Sequence, residues 1–251
     1  MNPTQGNWAS QWYAGKKVLV TGGSSGIGAG VARAFLDAGS EVIVTGVSPE
    51  DVEAARQRSN IEGADLHVLD VRDAAAVSEL FGGIDRLDIL VNCAGVIRRG
   101  AELDPAVFEA VVDINLTGTM RCCAAARPLL ARSNGAAIVN LASMLSIFGG
   151  GMVPGYSASK GGISQLTKSL AIAYGPDDIR VNAVAPGWIA TPLTADLQAD
   201  QTRTDQLMAR SIIKRWGHPD DIANGVLYLC APVARFVTGT TLTIDGGYSV
   251  C

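Results

Sequence analysis

The chain has 251 residues, 48% of them hydrophobic, with 29 glycines, a mean hydropathy of +0.23 and a formal charge of −4. That length and apolar content suit one α/β domain with a large core and exclude a disordered chain. An isoelectric point near 5.2 and basic residues scattered in runs no longer than two argue against nucleic acid as a partner. The five cysteines, at 93, 122, 123, 230 and 251, form an odd set without metal-ligand spacing. They predict reduced thiols in the cytoplasm and no metal site. No stretch of 18 apolar residues occurs, and the N-terminus lacks a continuous apolar segment. Neither a membrane span nor a signal peptide is expected.

Along the chain, apolar runs rich in β-branched residues predict strands at 17–22, 41–46, 64–71, 87–95, 136–143, 179–187 and 240–247. Their near-continuous hydrophobicity is what strands covered on both faces require. Helical periodicity fills 27–39, 49–58, 73–82, 104–131, 154–174 and 219–230, with Ser48 and Pro49 as N-cap and first residue of one helix. Strand and helix in alternation predict a doubly wound parallel sheet with helices on both faces, joined by right-handed crossovers. Residues 1–14 precede the first strand as an extension. Residues 188–215 read as an insertion over the sheet edge, either a mobile lid or a surface loop with a helix.

Ligands of open α/β sheets bind beyond the carboxyl ends of the strands, and the unusual motifs fall at those ends. After the first strand comes TGGSSGIG, with Gly22, Gly26 and Gly28 between strand and helix. Glycines there allow a tight turn and let backbone N–H groups approach a pyrophosphate at a helix N-terminus, though a purely structural turn also uses glycines. Asp70 closes the third strand, placed to accept from an adenine amino group or to cap the next helix. NCAG, Asn92 to Gly95, follows the fourth strand as a turn whose small residues leave room for a flat ring and a ribose. In YSASK, Tyr156 and Lys160 stand at i and i+4, so a phenol and an ammonium share one helix face.

With these residues assembled, the chain resembles the short-chain dehydrogenase/reductase family from about residue 15 to 250. The resemblance rests on TGGSSGIG, NCAG, Asn115 in DINLTG, Ser143, the YSASK pair, PGWIATP and TIDGG. It implies a nicotinamide cofactor held by Gly22, Ser24, Ser25, Gly26, Ile27, Gly28, Val47, Asp70, Val71, Asn92, Ala94, Gly95, Tyr156, Lys160, Pro186, Gly187, Ile189 and Thr191. Catalytic roles fall to Asn115, Ser143, Tyr156 and Lys160. Tyr156 would exchange a proton with a substrate oxygen, and Ser143 would donate a hydrogen bond to that oxygen. A free tyrosine titrates at about pH 10, so the phenolate needs stabilising. Lys160, with the positively charged nicotinamide, would supply that charge while reaching the ribose hydroxyls. Asn115 would hold a water linking Lys160 to solvent, unless it is a satisfied buried amide. The resemblance also implies a homo-oligomer, usually a tetramer.

Cofactor and substrate follow from finer features. After the second strand TGVSPED lacks both the Arg that NADP-preferring relatives tend to carry at Val47 and the Asp that NAD-preferring ones carry at Gly46. With Glu50 and Asp51 nearby, NAD is expected. NADP remains possible if Ser48 and an arginine such as Arg56 held its phosphate. The stretches GVIRRGAE, ASMLSIFGGGMVPGYSASK and RWG are similar to dehydrogenases of deoxy-sugar acids, such as the 2-deoxy-D-gluconate (2-keto-3-deoxy-gluconate) 3-dehydrogenases. Arg98, Arg99 or Arg215 would then bind a carboxylate. The expected substrate is a small secondary alcohol or ketone, a sugar acid or polyol, with 3-oxoacyl-thioester reduction and a catalytically silent nucleotide binder as alternatives.

Overall fold

Each expected apolar run forms a strand in the computed structural model, which describes residues 9–58 and 61–251. The strands are β1 (Lys17–Thr21), β2 (Glu41–Gly46), β3 (Asp65–Val68), β4 (Ile89–Asn92), β5 (Ala137–Leu141), β6 (Arg180–Pro186) and β7 (Thr241–Ile244). They form one parallel sheet in the order β3-β2-β1-β4-β5-β6-β7. The helices are α1 (Ser10–Tyr13), α2 (Gly26–Asp37), α3 (Pro49–Arg56), α4 (Ala74–Gly82), α5 (Pro105–Val112), α6 (Gly118–Leu130), α7 (Pro154–Tyr174), α8 (Ala195–Ala199), α9 (Gln201–Arg210) and α10 (Pro219–Cys230).

Alternate side chains of each strand serve opposite faces. Val18, Val20 and Val139 pack with Phe35 of α2 and Val226 of α10 in one core. Leu19, Leu90 and Ile138 face the other way, onto Phe81 of α4, Cys122 and Ala126 of α6, and Leu170 of α7. Within the extension, the Tyr13 ring meets Phe35 edge-on at 5.1 Å and its hydroxyl donates to the Leu227 carbonyl. Residues 1–8 lie outside the described residues.

Two differences from the expected elements matter for the site. Strands β3 and β4 stop earlier than expected, because the chain turns out of the sheet after Leu69 N donates to Gly46 O and Cys93 N donates to Thr21 O. Those departing segments become walls of a crevice. The helix expected over 104–131 is broken in the middle: a π turn at Asp113–Thr117 separates α5 from α6. Such an inserted residue frees backbone groups and re-aims a side chain, and it falls on Asn115.

Candidate active site

The carboxyl ends of the strands open into one crevice, made of two cavities of about 510 and 500 Å³. Ile27, Cys93, Gly95, Leu141 and Thr191 line both, so the two are halves of one space. β1 lies between β2 and β4, and the reversal of strand order there is where such folds bind ligands.

The first half lies over the glycine loop. Gly22 has φ of +62°, and a Cβ on it would stand 2.7 Å from the Ala94 backbone; a Cβ on Gly28 would run into the Gly22 carbonyl oxygen. Both must be glycine for the loop to close onto the strand. Ser25 precedes α2 without a side-chain cap, which leaves the first N–H groups of the helix open beside the cavity lined by Ser24, Ser25, Gly26, Ile27 and Gly28. Val47, Asp51, Asp70, Val71, Ala94 and Gly95 complete this wall. An uncapped helix start next to a long channel fits the pyrophosphate of a dinucleotide.

The second half carries the polar cluster. Ser143 at the end of β5, with Tyr156 and Lys160 on α7, lines the cavity together with Pro186, Gly187, Ile189 and Thr191. Lys160 Nζ lies 5.6 Å from the Tyr156 ring centre and donates to the Leu141 carbonyl at 2.5 Å. Ser143 faces the Tyr156 phenol and lowers its pKa. Ser143 also caps the short turn at Met144–Ser146, accepting from Leu145 N at 3.1 Å. Its capping and site roles therefore coexist.

A protein-family model described as enoyl-(acyl carrier protein) reductase matches residues 22–249. The chain belongs to the short-chain dehydrogenase/reductase family. It is 37% identical to cis-4-hydroxycyclohexanecarboxylate dehydrogenase of Sinomonas cyclohexanicum, over 94% of this chain and 98% of that one. It is 38% identical to 2-dehydro-3-deoxy-D-gluconate 5-dehydrogenase of Escherichia coli, over 93% and 95%. A solved structure from Agrobacterium tumefaciens, provisionally assigned as a 2-deoxy-D-gluconate 3-dehydrogenase with bound NADP, superposes with a TM-score of 0.85 at 36% identity, covering 95% of this chain and 98% of that one. Like its relatives, this short-chain dehydrogenase/reductase is an oxidoreductase acting on CH–OH groups.

Three sequence expectations change in this frame. The Asn92 side chain is not in the crevice: it points beneath the sheet, donating to Asn140 Oδ1 at 2.9 Å and to Cys123 Sγ at 3.3 Å. Its neighbours Cys93 and Gly95 form the wall instead. The Asn115 amide is also committed, accepting from Val96 N at 2.8 Å and donating to Val96 O at 3.0 Å and Ser159 Oγ at 3.1 Å. It therefore clamps the 93–97 segment, the buried-amide role that the sequence left open beside the water. Asp70 lines the cavity, but Arg72 holds its carboxylate at 2.6–3.0 Å, and Asp73 rather than Asp70 caps α4.

The arginines separate in the same way. Arg215 is paired with Asp221 at 2.7 and 2.9 Å and lines a separate small cavity instead of the one with Tyr156. That bond holds the Asp221 carboxyl down at about 2. Arg98 lines the dinucleotide half, whereas Arg99 lines the half with Tyr156 and makes no ion pair among the described residues. Arg56 pairs with Glu53 at 2.9 Å on the exposed face of α3 and does not line the cavity.

Burial dominates the electrostatics. It pushes the Tyr156 phenol above its ordinary value; the Ser143 contact opposes this and the charge of Glu102 adds to it. Burial also lowers the Lys160 ammonium to about 8, with Cys93 pulling weakly the other way. In the protein without cofactor burial outweighs the Ser143 contact at the phenol. The balance moves only with further positive charge in the crevice, which an oxidised nicotinamide provides.

Several working residues gave no signal in the sequence. Ser159, between the phenol and ammonium in YSASK, is fully buried; it donates to the Tyr156 carbonyl at 2.7 Å and accepts from Asn115. Ser146 donates to the Lys160 carbonyl at 2.6 Å and ties the Ser143 turn to α7. Arg58 donates to the Ser24 carbonyl at 2.7 Å on the rim of the dinucleotide half. Small serines and an exposed arginine are too common in sequence for their partners to be read there. From the insertion at 188–215, Thr191, Leu193, Thr194, Asp196, Leu197 and Arg203 roof the second half, and Arg210 stacks on Tyr248 at 4.4 Å to anchor its far end.

Proposed function

We propose that this enzyme interconverts a secondary alcohol and a ketone on a small carboxylic acid, with NAD in preference to NADP. The observation that carries the reading is Arg99, a cation with no ion pair among the described residues, in the wall that also holds Ser143 and Tyr156. A carboxylate on Arg99 would orient the substrate so that its carbinol oxygen reaches the tyrosine. Both curated relatives named above act on hydroxy acids by their names.

Bound nicotinamide supplies the hydride acceptor or donor. Tyr156 takes the carbinol proton in oxidation and returns it in reduction, while Ser143 donates to the same oxygen as its charge grows. Lys160, directed at Leu141 O from beneath the tyrosine ring, holds positive charge where ribose hydroxyls would lie. Asn115 and Ser159 fix the backbone around this group.

Asp51 and the exposed Val47 at the adenosine end support NAD, because a 2′-phosphate carries close to two negative charges. The exposed apolar side chains of Ile172 on α7 and Phe236 support a homo-oligomer, a tetramer by analogy with the family. Five free thiols support a reducing compartment such as the cytoplasm.

The test follows nicotinamide absorbance with both cofactors over hydroxy acids, polyols, cyclic alcohols and an acetoacetyl thioester. A hydroxy acid with NAD should give the highest kcat/KM. Tyr156→Phe should lower kcat by about 10²–10⁴-fold while still binding NAD. Faster turnover of the thioester than of every acid would replace this reading with that of a 3-oxoacyl-thioester reductase. Equal, negligible turnover in parent and variant would make the protein a nucleotide binder.

A further inference from the structure

Glu102 is 1% exposed, yet no cation pairs with it among the described residues. An isolated buried carboxylate is costly unless several hydrogen bonds compensate it. Here both oxygens are used on backbone amides: Oε1 accepts from Arg98 N and Oε2 from Tyr156 N, each at 2.7 Å. Tyr156 is the third residue of α7, whose preceding residue Val153 offers no side-chain cap and whose first residue, Pro154, has no N–H. The carboxylate thus sits at the positive end of a 21-residue helix, where negative charge is favoured.

The other oxygen holds the turn that presents Arg99. Arg98 N binds Oε1, and Gly100 N donates to Met152 O at 2.7 Å, so the residues on either side of Arg99 are pinned to the segment leading into α7. Gly155 leaves space for this approach: a Cβ there would stand 3.3 Å from Oε2 and from Phe108. One buried side chain therefore spans the backbone of the proton-exchanging residue and the backbone beside the cation that faces the same cavity.

We propose that Glu102 is a positioning residue that sets Tyr156 and Arg99 at a fixed separation, so that the site measures the distance between a substrate's carboxylate and its carbinol carbon. The Arg99 part rests on the proposed hydroxy-acid reading; the Tyr156 part does not. Glu102 acts through backbone N–H groups and touches no reacting atom. Around the phenol, Lys160 lies on the same helix, Ser143 follows β5, Cys93 and Arg99 lie on the segment after β4, and Asp196 and Arg203 come from the roof. The Glu102 carboxylate is the negative group that disfavours the phenolate from behind.

Glu102→Gln keeps the size but turns one acceptor into a donor facing an N–H, and Glu102→Asp keeps the charge but shortens the span. Both are compared with the parent using cis-4-hydroxycyclohexanecarboxylate and cyclohexanol as probes, with NAD affinity read by protein fluorescence. The phenolate absorbance of the NAD complex is titrated as a difference against Tyr156→Phe. Glu102→Gln should lower kcat on both probes about 10–100-fold with NAD affinity unchanged, and should move the phenolate midpoint to lower pH because a negative charge is gone. Glu102→Asp should leave that midpoint near the parent's and lose preference for the acid over the neutral alcohol. If both variants only lower Tm while kcat, midpoint and preference stay as in the parent, Glu102 is a helix cap and the proposal fails. If the parent itself shows no preference for the acid, the hydroxy-acid reading falls, and the shifted midpoint of Glu102→Gln still decides the tyrosine part.

Discussion

The two sides of the substrate cavity are built differently. On the floor, Tyr156, Lys160 and Ser143 are held by partly buried bonds between side chain and backbone: Lys160 to Leu141 O, Ser159 to Tyr156 O, Ser146 to Lys160 O and Glu102 to Tyr156 N. On the rim and roof, Arg99, Leu193 and Arg203 are exposed, and Arg203 makes only a 3.4 Å pair with Asp200. The floor is over-determined, because moving any one group leaves buried polar atoms without partners. Side chains of the rim and roof can vary without disturbing the floor, although Glu102 ties the backbone beside Arg99 to that of Tyr156. Substitutions on the floor should change rate for every alcohol, and those on the rim should change which alcohol is used.

Lys160→Met is the strongest way to break this contrast. It removes the charge under the tyrosine and should lower kcat about 10²–10³-fold on any substrate. It should also stabilise the apoprotein at neutral pH. Burial brings the ammonium from an ordinary 10.5 to about 8. The folded state therefore binds fewer protons than the unfolded one between those values, and this group's cost is full below pH 8 and fades towards 10.5. The cost is about 3 kcal/mol, less about 1 kcal/mol for the lost bond to Leu141 O. Thermal melts at pH 7 and pH 10 should show an advantage of about 2 kcal/mol for the variant at the lower pH and none at the higher. A parent more stable at pH 7 would show the floor to be structural instead of strained for catalysis.

Ser143→Ala comes next, with a loss of about 100-fold in kcat for all alcohols. Its second effect has a sign. The serine contact opposes the burial that raises the Tyr156 phenol. Without it the phenol rises further, so the pH at which alcohol oxidation gains its base should move to the alkaline side. The measurement is kcat/KM against pH in parent and variant.

Arg99→Ala tests the rim. KM for cis-4-hydroxycyclohexanecarboxylate should rise about tenfold while cyclohexanol is unaffected, since an exposed cation contributes modestly to binding and nothing to proton exchange. An equal loss on both alcohols would move Arg99 to the floor.

The same contrast explains what the sequence could show. The parallel sheet, the glycine loop and the shared face of Tyr156 and Lys160 were legible because each depends on periodicity or on a spacing that backbone geometry enforces, whereas Ser143 was legible only through the family resemblance. Asn92 and Asn115 were legible as positions but not as roles. Whether an amide at a strand end faces the crevice or the space beneath the sheet depends on Cys123 and Asn140, which are distant in sequence. The π turn that commits Asn115 to Val96 leaves no mark on helical periodicity. Among Arg98, Arg99 and Arg215, only the fold shows that Asp221 already occupies the last.

Cofactor choice depends on a rim of the same kind, and the smallest effect is expected there. Sequence proximity pointed to Arg56, which Glu53 retains, whereas Arg58 reaches the Ser24 carbonyl from the end of α3. Its guanidinium lies against the glycine loop, just outside the cavity wall that carries Asp51, whereas Arg72 in that wall is held by Asp70. A carbonyl partner satisfies one N–H and leaves the charge available to a phosphate, so Arg58 should sustain a weak use of NADP without governing NAD. Arg58→Ala should raise KM for NADP about three- to tenfold and leave KM for NAD within twofold. Because the effect is electrostatic and exposed, it should shrink as salt is raised. If NAD and NADP lose affinity equally, the residue is holding the glycine loop through Ser24, and discrimination against the phosphate rests on Asp51 alone.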